Sequence, residues 1–468
     1  MTIRILFSLI LILGSLCAEA SVIDTSAGKL VELLEKAKID NNLVVRGELD
    51  ARDFEVLRSL PESVVSIDLS KTSIKSFSSE KSLIAGFSTF DENILPPYAF
   101  FHSKASEIIL PESITAIADG AFAHSLVKSV SIPRNVSNIG DYAFFGASRL
   151  SEITFPEALT YLGKGCFEDC AAFSSVNLKG TGIRSIPERC FARCPALTAV
   201  ALPSGVVEID DEAFLASSLK SFDSSSVVSF GNFVFADNDN LKSVSLNPEA
   251  RFGTGLLMNC LSLETINGVP ADIPDLFAPN CPGISISEII GNAMSIGKFA
   301  FANNHATTLI LSPDLVELDE GAIGLISGIK EIKALGMRAD IPLTHPDVFL
   351  GVDTAAITLF VDSGYEEAWE NHPVWKNFHI FPYSDGISAP EADDNSISIS
   401  FVDNAITAQA PERIINISLF SINGTPLLSL TPDDCVVSIP TDGLSVSGEI
   451  IVIFVQTPSS SRSAKIIL

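Results

Sequence analysis

Positive charge is scarce in this chain of 468 residues: 30 Lys and Arg stand against 57 Asp and Glu, a formal net charge of -27. The acidic excess is spread along the chain rather than gathered in a tail. Such a field repels phosphate backbones and anionic lipid surfaces, which argues against nucleic acid as a partner. Charge of any sign is modest, at 19% of residues against 47% hydrophobic. A disordered chain would show the reverse balance, so a sizeable core is expected. Beyond the N-terminus no segment stays apolar for 18 residues, so no later membrane span is expected.

Catalytic motifs are missing too. There is no H-E-x-x-H and no Walker A loop. Gly253-Thr254-Gly255 runs into Leu256 and Met258, so G-x-G-x-x-G fails, and Gly443 to Ser447 lacks the second glycine of G-x-S-x-G. The six histidines (His102, His124, His305, His345, His372 and His379) are scattered. Asp237-Asn238-Asp239-Asn240 resembles the start of a calcium loop without its later Gly and Glu. We expect no catalytic residues, no metal ligands and no cofactor; the chain reads as a non-enzyme.

The N-terminus carries a targeting signal. Arg4 precedes the apolar run Ile5 to Leu16, and Ala18-Glu19-Ala20 fits a cleavage site that leaves Ser21 as the mature start. Residues 1–20 are therefore expected to be a signal peptide. Cys17 raises a lipoprotein alternative, which Leu16 before it disfavours. Seven cysteines remain after cleavage, an odd number, so at least one thiol stays free or pairs between chains.

What dominates the sequence is self-similarity. One unit reads Leu126, Val130, Ile132-Pro133, Val136, Ile139, Ala143-Phe144; the next reads Leu150, Ile153, Phe155-Pro156, Leu159, Leu162, Cys166-Phe167. A marker phenylalanine recurs at Phe100, Phe122, Phe144, Phe167, Phe191, Phe214 and Phe235, at spacings of 22, 22, 23, 24, 23 and 21. Phe277, Phe301 and Phe349 continue it, with Leu257 or Met258 and then Ile323 in the intervening slots. This makes about a dozen units over residues 95–381. In L-x-x-V-x-I-P the alternation predicts a short strand that proline ends. The following V-x-x-I suggests a turn of 3₁₀ or short helix on the return side. A single coil cannot bury its apolar side; stacked coils share one core. Cys166 and Cys190 fill equivalent slots one repeat apart, as do Cys170 and Cys194. Core thiols are the favoured reading, with an inter-coil disulfide or a metal as alternatives.

The unit L-x-x-I-x-[LI]-P-x-x-[VIL]-x-x-I-x-x-x-[AC]-F-x-x-C resembles the BspA-type leucine-rich repeat of bacterial surface proteins. The stretch Leu359-Phe360-Val361 through Tyr365, Trp369, Trp375 and Phe378 is similar to the closing unit of such arrays, with Asp362 in place of the usual proline. Leu43 to Phe54 is similar to the opening module of related Bacteroidales proteins. The resemblance implies a curved solenoid with a parallel sheet on one face, and roles in adhesion. Leu30, Leu33 and Leu34 at helical spacing suggest an N-terminal capping helix, with Thr25 or Ser26 as N-cap.

Residues 383–396 read as a polar linker, and the alternating segments beyond them as a β-sandwich with turns at Asn423-Gly424 and Asp442-Gly443. The layout around Leu419 to Gly424 and the terminal Lys465 to Leu468 looks like the sorting domain of the Bacteroidetes type IX secretion pathway, with Gly448-Glu449-Ile450-Ile451-Val452 where that family has Gly-x-Tyr. The expected fold is thus an α/β solenoid, a leucine-rich-repeat array followed by a small C-terminal β-sandwich. The expected divisions are a capping module at 21–94, repeats with their C-terminal cap at 95–382, a linker at 383–396 and a sorting-like tail at 397–468.

The outward strand positions offer two candidate binding columns. Glu152, Ser175 and Ser221 belong to one; Thr154, Asn177 and Asp223 belong to the other. They are small and polar, without aromatic anchors, and suit an extended surface of modest affinity. The expected function is that of a secreted or cell-surface protein, placed on the outer face of the outer membrane, which binds an extracellular protein or glycan. The alternative is a self-associating structural component of the envelope or matrix.

Overall fold

A computed structural model describes residues 20–84, 86–338, 340–383, 397–402, 405–421, 426–440, 450–458 and 461–467. The signal peptide up to residue 19, the linker from 384, both expected glycine turns of the tail and Gly448 lie outside the described residues.

The chain winds into a parallel solenoid of about 16 turns. One strand per turn lies on the first face, at Ser21–Thr25, Asn42–Leu49, Ser66–Ile74, Glu107–Ile109, Ser129–Ser131, Glu152–Thr154 and onward to His379–Tyr383. Every pairing on this face is parallel and joins successive turns, as in Glu152↔Ser129 and Thr154↔Ser131. The alternation is as expected: Val130 is buried between exposed Ser129 and Ser131.

The return side differs from the expected helical turn. It carries strands of two residues, such as Ala116–Ile117, Asn138–Ile139 and Tyr161–Leu162, which also pair in parallel. A V-x-x-I segment is too short to close several i→i−4 bonds, whereas the adjacent coil offers its backbone immediately. The sheet also begins earlier than the repeat pattern suggested, since strands 21–25, 42–49 and 66–74 are its first members. Thr25 therefore lies in a strand and caps no helix; the helix is only Leu30–Leu34, and Lys29 is its N-cap. Its free amides are served from the next turn by fully buried Asp53, which accepts from Gly28 N at 2.8 Å and Leu30 N at 3.0 Å. Asp53 also accepts from Asp50 N, completing the capping box of helix Ala51–Arg58.

The marker rings form the spine. Phe100, Phe122, Phe144, Phe167, Phe191, Phe214 and Phe235 are fully buried and stack face to face, with centroids 4.8–5.8 Å apart. Each marker N–H donates to the residue before the next marker, as Phe144 does to Cys166 O at 2.8 Å and Phe167 to Cys190 O at 2.9 Å. That register places Leu257, not Met258, in the marker slot, because Leu257 N donates to Phe277 O. It also moves Phe277 one place forward: Ala278 N donates to Ala300 O, so Ala278 holds the slot. Accordingly Phe277 meets Phe301 edge-on at 6.4 Å instead of stacking.

From Cys170 onward, the side chain three residues past the marker donates to the marker carbonyl of the preceding coil, whereas Ser125 Oγ in the same slot finds no partner and Ala147 has no donor to offer. Cys170 Sγ reaches Phe144 O, Cys194 Sγ reaches Phe167 O, Ser217 Oγ reaches Phe191 O and Asn238 Nδ2 reaches Phe214 O, at 2.7–3.2 Å. Cys260, Cys281 and Asn304 continue the series. The cysteine slot is thus a donor slot, filled equally by thiol, hydroxyl or amide. Asn238, part of the stretch that resembles a calcium loop, points inward in this role and is fully buried. Coil corners adopt left-handed backbone, for instance at Tyr98 with φ 56 and Gly120 with φ 61. A Cβ on Gly120 would stand 2.6 Å from the Tyr98 ring, so only glycine fits beneath it.

At the far end Trp369 and Trp375 are fully buried and meet edge-on at 5.3 Å. Their indole N–H groups donate to Arg338 O and Thr344 Oγ1. These rings close the core where the aromatic-rich stretch was expected to do so. Beyond it, strands 398–402, 405–414 and 434–440 form one antiparallel sheet, and 426–430, 416–421, 450–456 and 461–467 another. Ile406, Ile417, Leu419, Ile453 and Val455 lie in a second core of their own.

Six thiols, Cys166, Cys170, Cys190, Cys194, Cys260 and Cys281, are free and buried, while Cys435 is free and exposed. Burial pushes Cys166, Cys170 and Cys190 well up and Cys194 up to about 12. Thiolate is the reactive form, so these groups are protected by both access and ionisation. In a chain beginning at Ser21, a chromogenic disulfide reagent at pH 8 will titrate Cys435 alone until denaturant is added. Replacing Phe167 by Ala removes a ring stacked on both sides and is expected to cost about 3–5 kcal/mol in urea unfolding. Asn238→Leu strands buried carbonyls and should cost about 1–3 kcal/mol, whereas Asn238→Ser keeps a donor and should cost less.

Candidate binding face

The six residues singled out from sequence sit on strands Glu152–Thr154, Ser175–Asn177 and Ser221–Ser224, and all six are exposed. Ile153, Val176 and Phe222 point inward from the same strands and hold them to the core. The structure groups the six less continuously than a single sheet would. Strands 129–131 and 152–154 share one ladder, 175–177 pairs with 199–201, and 221–224 begins a third ladder with 243–246 and 265–267. No ladder joins 152–154 to 175–177.

Their hydrogen bonding separates them further. Asp223 accepts from Ser225 Oγ at 2.8 Å and Ser225 N at 3.1 Å, which holds its carboxyl below the usual carboxylate range. Asn177 Oδ1 accepts from Lys179 N. Among the described residues, the side chains of Glu152, Thr154, Ser175 and Ser221 make no hydrogen bond, so their polar atoms are open to a ligand.

The two columns continue past the point where the sequence reading stopped. The stretch after 267 breaks the strand pattern, because helix Ile286–Ile290 occupies that turn. Beyond it the second column runs Ile310↔Lys333↔Phe360↔Phe381. Ile310 is 48% exposed and Phe381 40%. Phe360 contacts Phe381 at 6.4 Å and Tyr383 at 6.2 Å between centroids. Beyond the columns read from sequence, this end of the face therefore carries partly exposed aromatic rings. The signal was present in sequence as outward positions of Thr358 to Asp362 and His379 to Tyr383, but the helical turn hid their register.

Groups that could suggest acid–base chemistry are tied up elsewhere. Glu168 is buried between Arg189 and Arg193; burial pushes its carboxyl up while both guanidiniums pull it down. Ser327 Oγ lies 3.2 Å from both His305 Nδ1 and Asn304 O. Among the described residues, no group of three or more His, Cys, Asp or Glu could hold a metal. No helix there is long and apolar enough to cross a membrane.

Residues 70–181 and 166–277 match the profile of the BspA type leucine-rich repeat region, in six copies. No curated protein sequence matches the chain. Among solved structures, the chain is similar to a leucine-rich repeat protein from Bacteroides ovatus, at 19% identity over 67% of this chain and 87% of that one, TM-score 0.45. It is similar to a leucine-rich cell surface protein from Faecalibacterium prausnitzii, at 18% identity over 66% and 88%, TM-score 0.36. A third is the pneumococcal vaccine antigen PcpA, at 13% identity over 75% and 81%, TM-score 0.38. Residues 70–277 thus carry the match to BspA-type leucine-rich repeats, and the inter-coil register runs through all of them.

Proposed function

We propose that this chain is an exported binding protein whose first face is the ligand surface and whose work is adhesion outside the cell. The observation that carries the reading is the pair of outward columns. One outward column holds unpaired groups at Glu152, Ser175 and Ser221, and its neighbour holds Thr154 and ends in the ring cluster of Phe360 and Phe381. Open polar positions at regular spacing give many weak contacts, and an aromatic cluster at one end gives an anchor of the kind that dominates binding energy. The ligand class is an extracellular protein or glycan. The acidic surface favours partners with a basic or neutral contact patch.

Export is supported by Arg4, the apolar run to Leu16 and the Ala18-Glu19-Ala20 site. The C-terminal antiparallel unit is assigned to secretion or anchoring at the outer membrane, on its likeness to type IX sorting domains. The same unit and the divisions given above form one scheme: capping turns, repeat platform, linker and tail. No catalytic role is proposed for any of them.

The test is a binding screen of the chain from Ser21 against immobilised matrix proteins and a glycan array. A true ligand of this face will be lost on Asn177→Arg and weakened about tenfold or more on Phe381→Ser, the loss of an aromatic anchor. It will be unaffected by Ser229→Arg on the return side. Binding that survives both face variants and falls with Ser229→Arg would refute the assignment.

A further inference from the structure

We propose that His102 and His124 form a capture site for a divalent transition metal of the copper, nickel and zinc type, at the corner of the early coils. The site lies off the first face and does not depend on the function proposed for that face.

The two histidines occupy the same position on successive coils, two residues past Phe100 and Phe122. Both are exposed, and both adopt the left-handed backbone, with φ 58 and 56. Their amides are fixed in the inter-coil ladder: His102 N donates to Ala123 O at 3.0 Å and His124 N to Phe145 O at 2.7 Å. The imidazoles are thereby held one coil apart, with centroids 5.1 Å apart and planes within 15°. Aromatic neighbours restrict them further. Phe101 sits edge-on to both rings, at 4.2 and 5.9 Å, and Phe145 is edge-on to His124 at 5.0 Å.

The ring nitrogens of this pair are unengaged, unlike those of three other histidines. His305, His345 and His372 each have Nδ1 engaged, with Ser327 Oγ, Asp347 N and Val374 N respectively. Among the described residues, no ring nitrogen of His102 or His124 takes part in a hydrogen bond. The Nδ1 edge of His124 rests over Gly146, where a Cβ would come within 2.5 Å of that nitrogen. On His124, Nε2 is therefore the nitrogen turned away from Gly146.

In the stack the ring nitrogens point side by side, so two neutral imidazoles reach a common ion at about 2.0–2.1 Å each only when both exposed rings turn out of the stack toward each other. Binding of the first ring places the second at high local concentration, so the pair binds far more tightly than either alone. Imidazole donors favour copper, nickel and zinc, and for matched ligands Cu²⁺ binds most tightly. No third His, Cys, Asp or Glu completes the set among the described residues, so water fills the remaining positions. Such a site exchanges its ion readily; it captures metal rather than building the fold around it. The net charge of -27 raises the local cation concentration.

The test uses the chain from Ser21 without a histidine tag, titrated with CuCl₂ and followed by calorimetry and electron paramagnetic resonance. One site is expected whose spectrum reports two coordinated imidazole nitrogens. His102→Asn and His124→Asn should each weaken it about tenfold or more, as expected when a chelating partner is lost, and leave one nitrogen. Asn tolerates the left-handed backbone, so the thermal melt should stay in place. His379→Asn should change nothing. Copper affinity unchanged in both variants, or lost in only one of them, would overturn the paired site. So would a spectrum without two imidazole nitrogens.

Discussion

One constraint governs the coils from Phe144 to Asn304: the buried backbone carbonyl of each marker residue takes a side-chain donor from the following coil. From residue 170 to residue 304 that donor is a side chain three places past the next marker, and it is Cys, Ser or Asn. The requirement fixes how far apart markers sit and which face of each coil turns inward. Phe100, Phe122 and Phe144 join the same file of rings without that side-chain bond. Face-to-face contact between rings then adds packing on top of the hydrogen bond, at 4.8–5.8 Å across seven coils. Polar satisfaction sets the register and apolar burial supplies most of the stabilisation.

That arrangement leaves the outward strand positions without structural duties. Ser129, Glu152 and Ser175 neither pack nor carry the ladder, so their identity is free to vary with a ligand. The corner positions are different. Left-handed backbone recurs there, and large rings such as Tyr98 lie across glycines of the next coil. Corners are where the coil presents aromatic and imidazole groups at fixed spacing, while the strands present hydroxyls.

Much of this was legible in the residues. The phenylalanine spacing alone implies stacked coils, and strand alternation implies which side chains face out. The equivalence of Cys166 with Cys190, and of Cys170 with Cys194, follows from their offset of one repeat. What escaped has definite causes. Phe277 breaks the register by one place because an aromatic residue serves nearly as well beside the slot as in it, so counting rings misassigns the coil. The return strands were read as helical because apolar residues at V-x-x-I spacing look alike in both settings; only the neighbouring backbone decides. Thr25 looked like a cap, yet Asp53 from another turn supplies that bond, a long-range contact with no local trace. The Phe360 and Phe381 anchors were missed because helix 286–290 shifts the frame by which outward positions are counted.

That short helix has a wider consequence. The return ladder runs unbroken past it, through Asp272–Ile273, Ser295–Ile296 and Glu317–Leu318, while the first face is interrupted. Seen from outside, the molecule offers two adjoining territories: a hydroxylated plateau before the interruption and a greasy, ring-bearing one after it. A long partner laid along the axis has to step over Ile286–Ile290 to touch both. The path of the chain thus keeps two chemically different surfaces apart on one face.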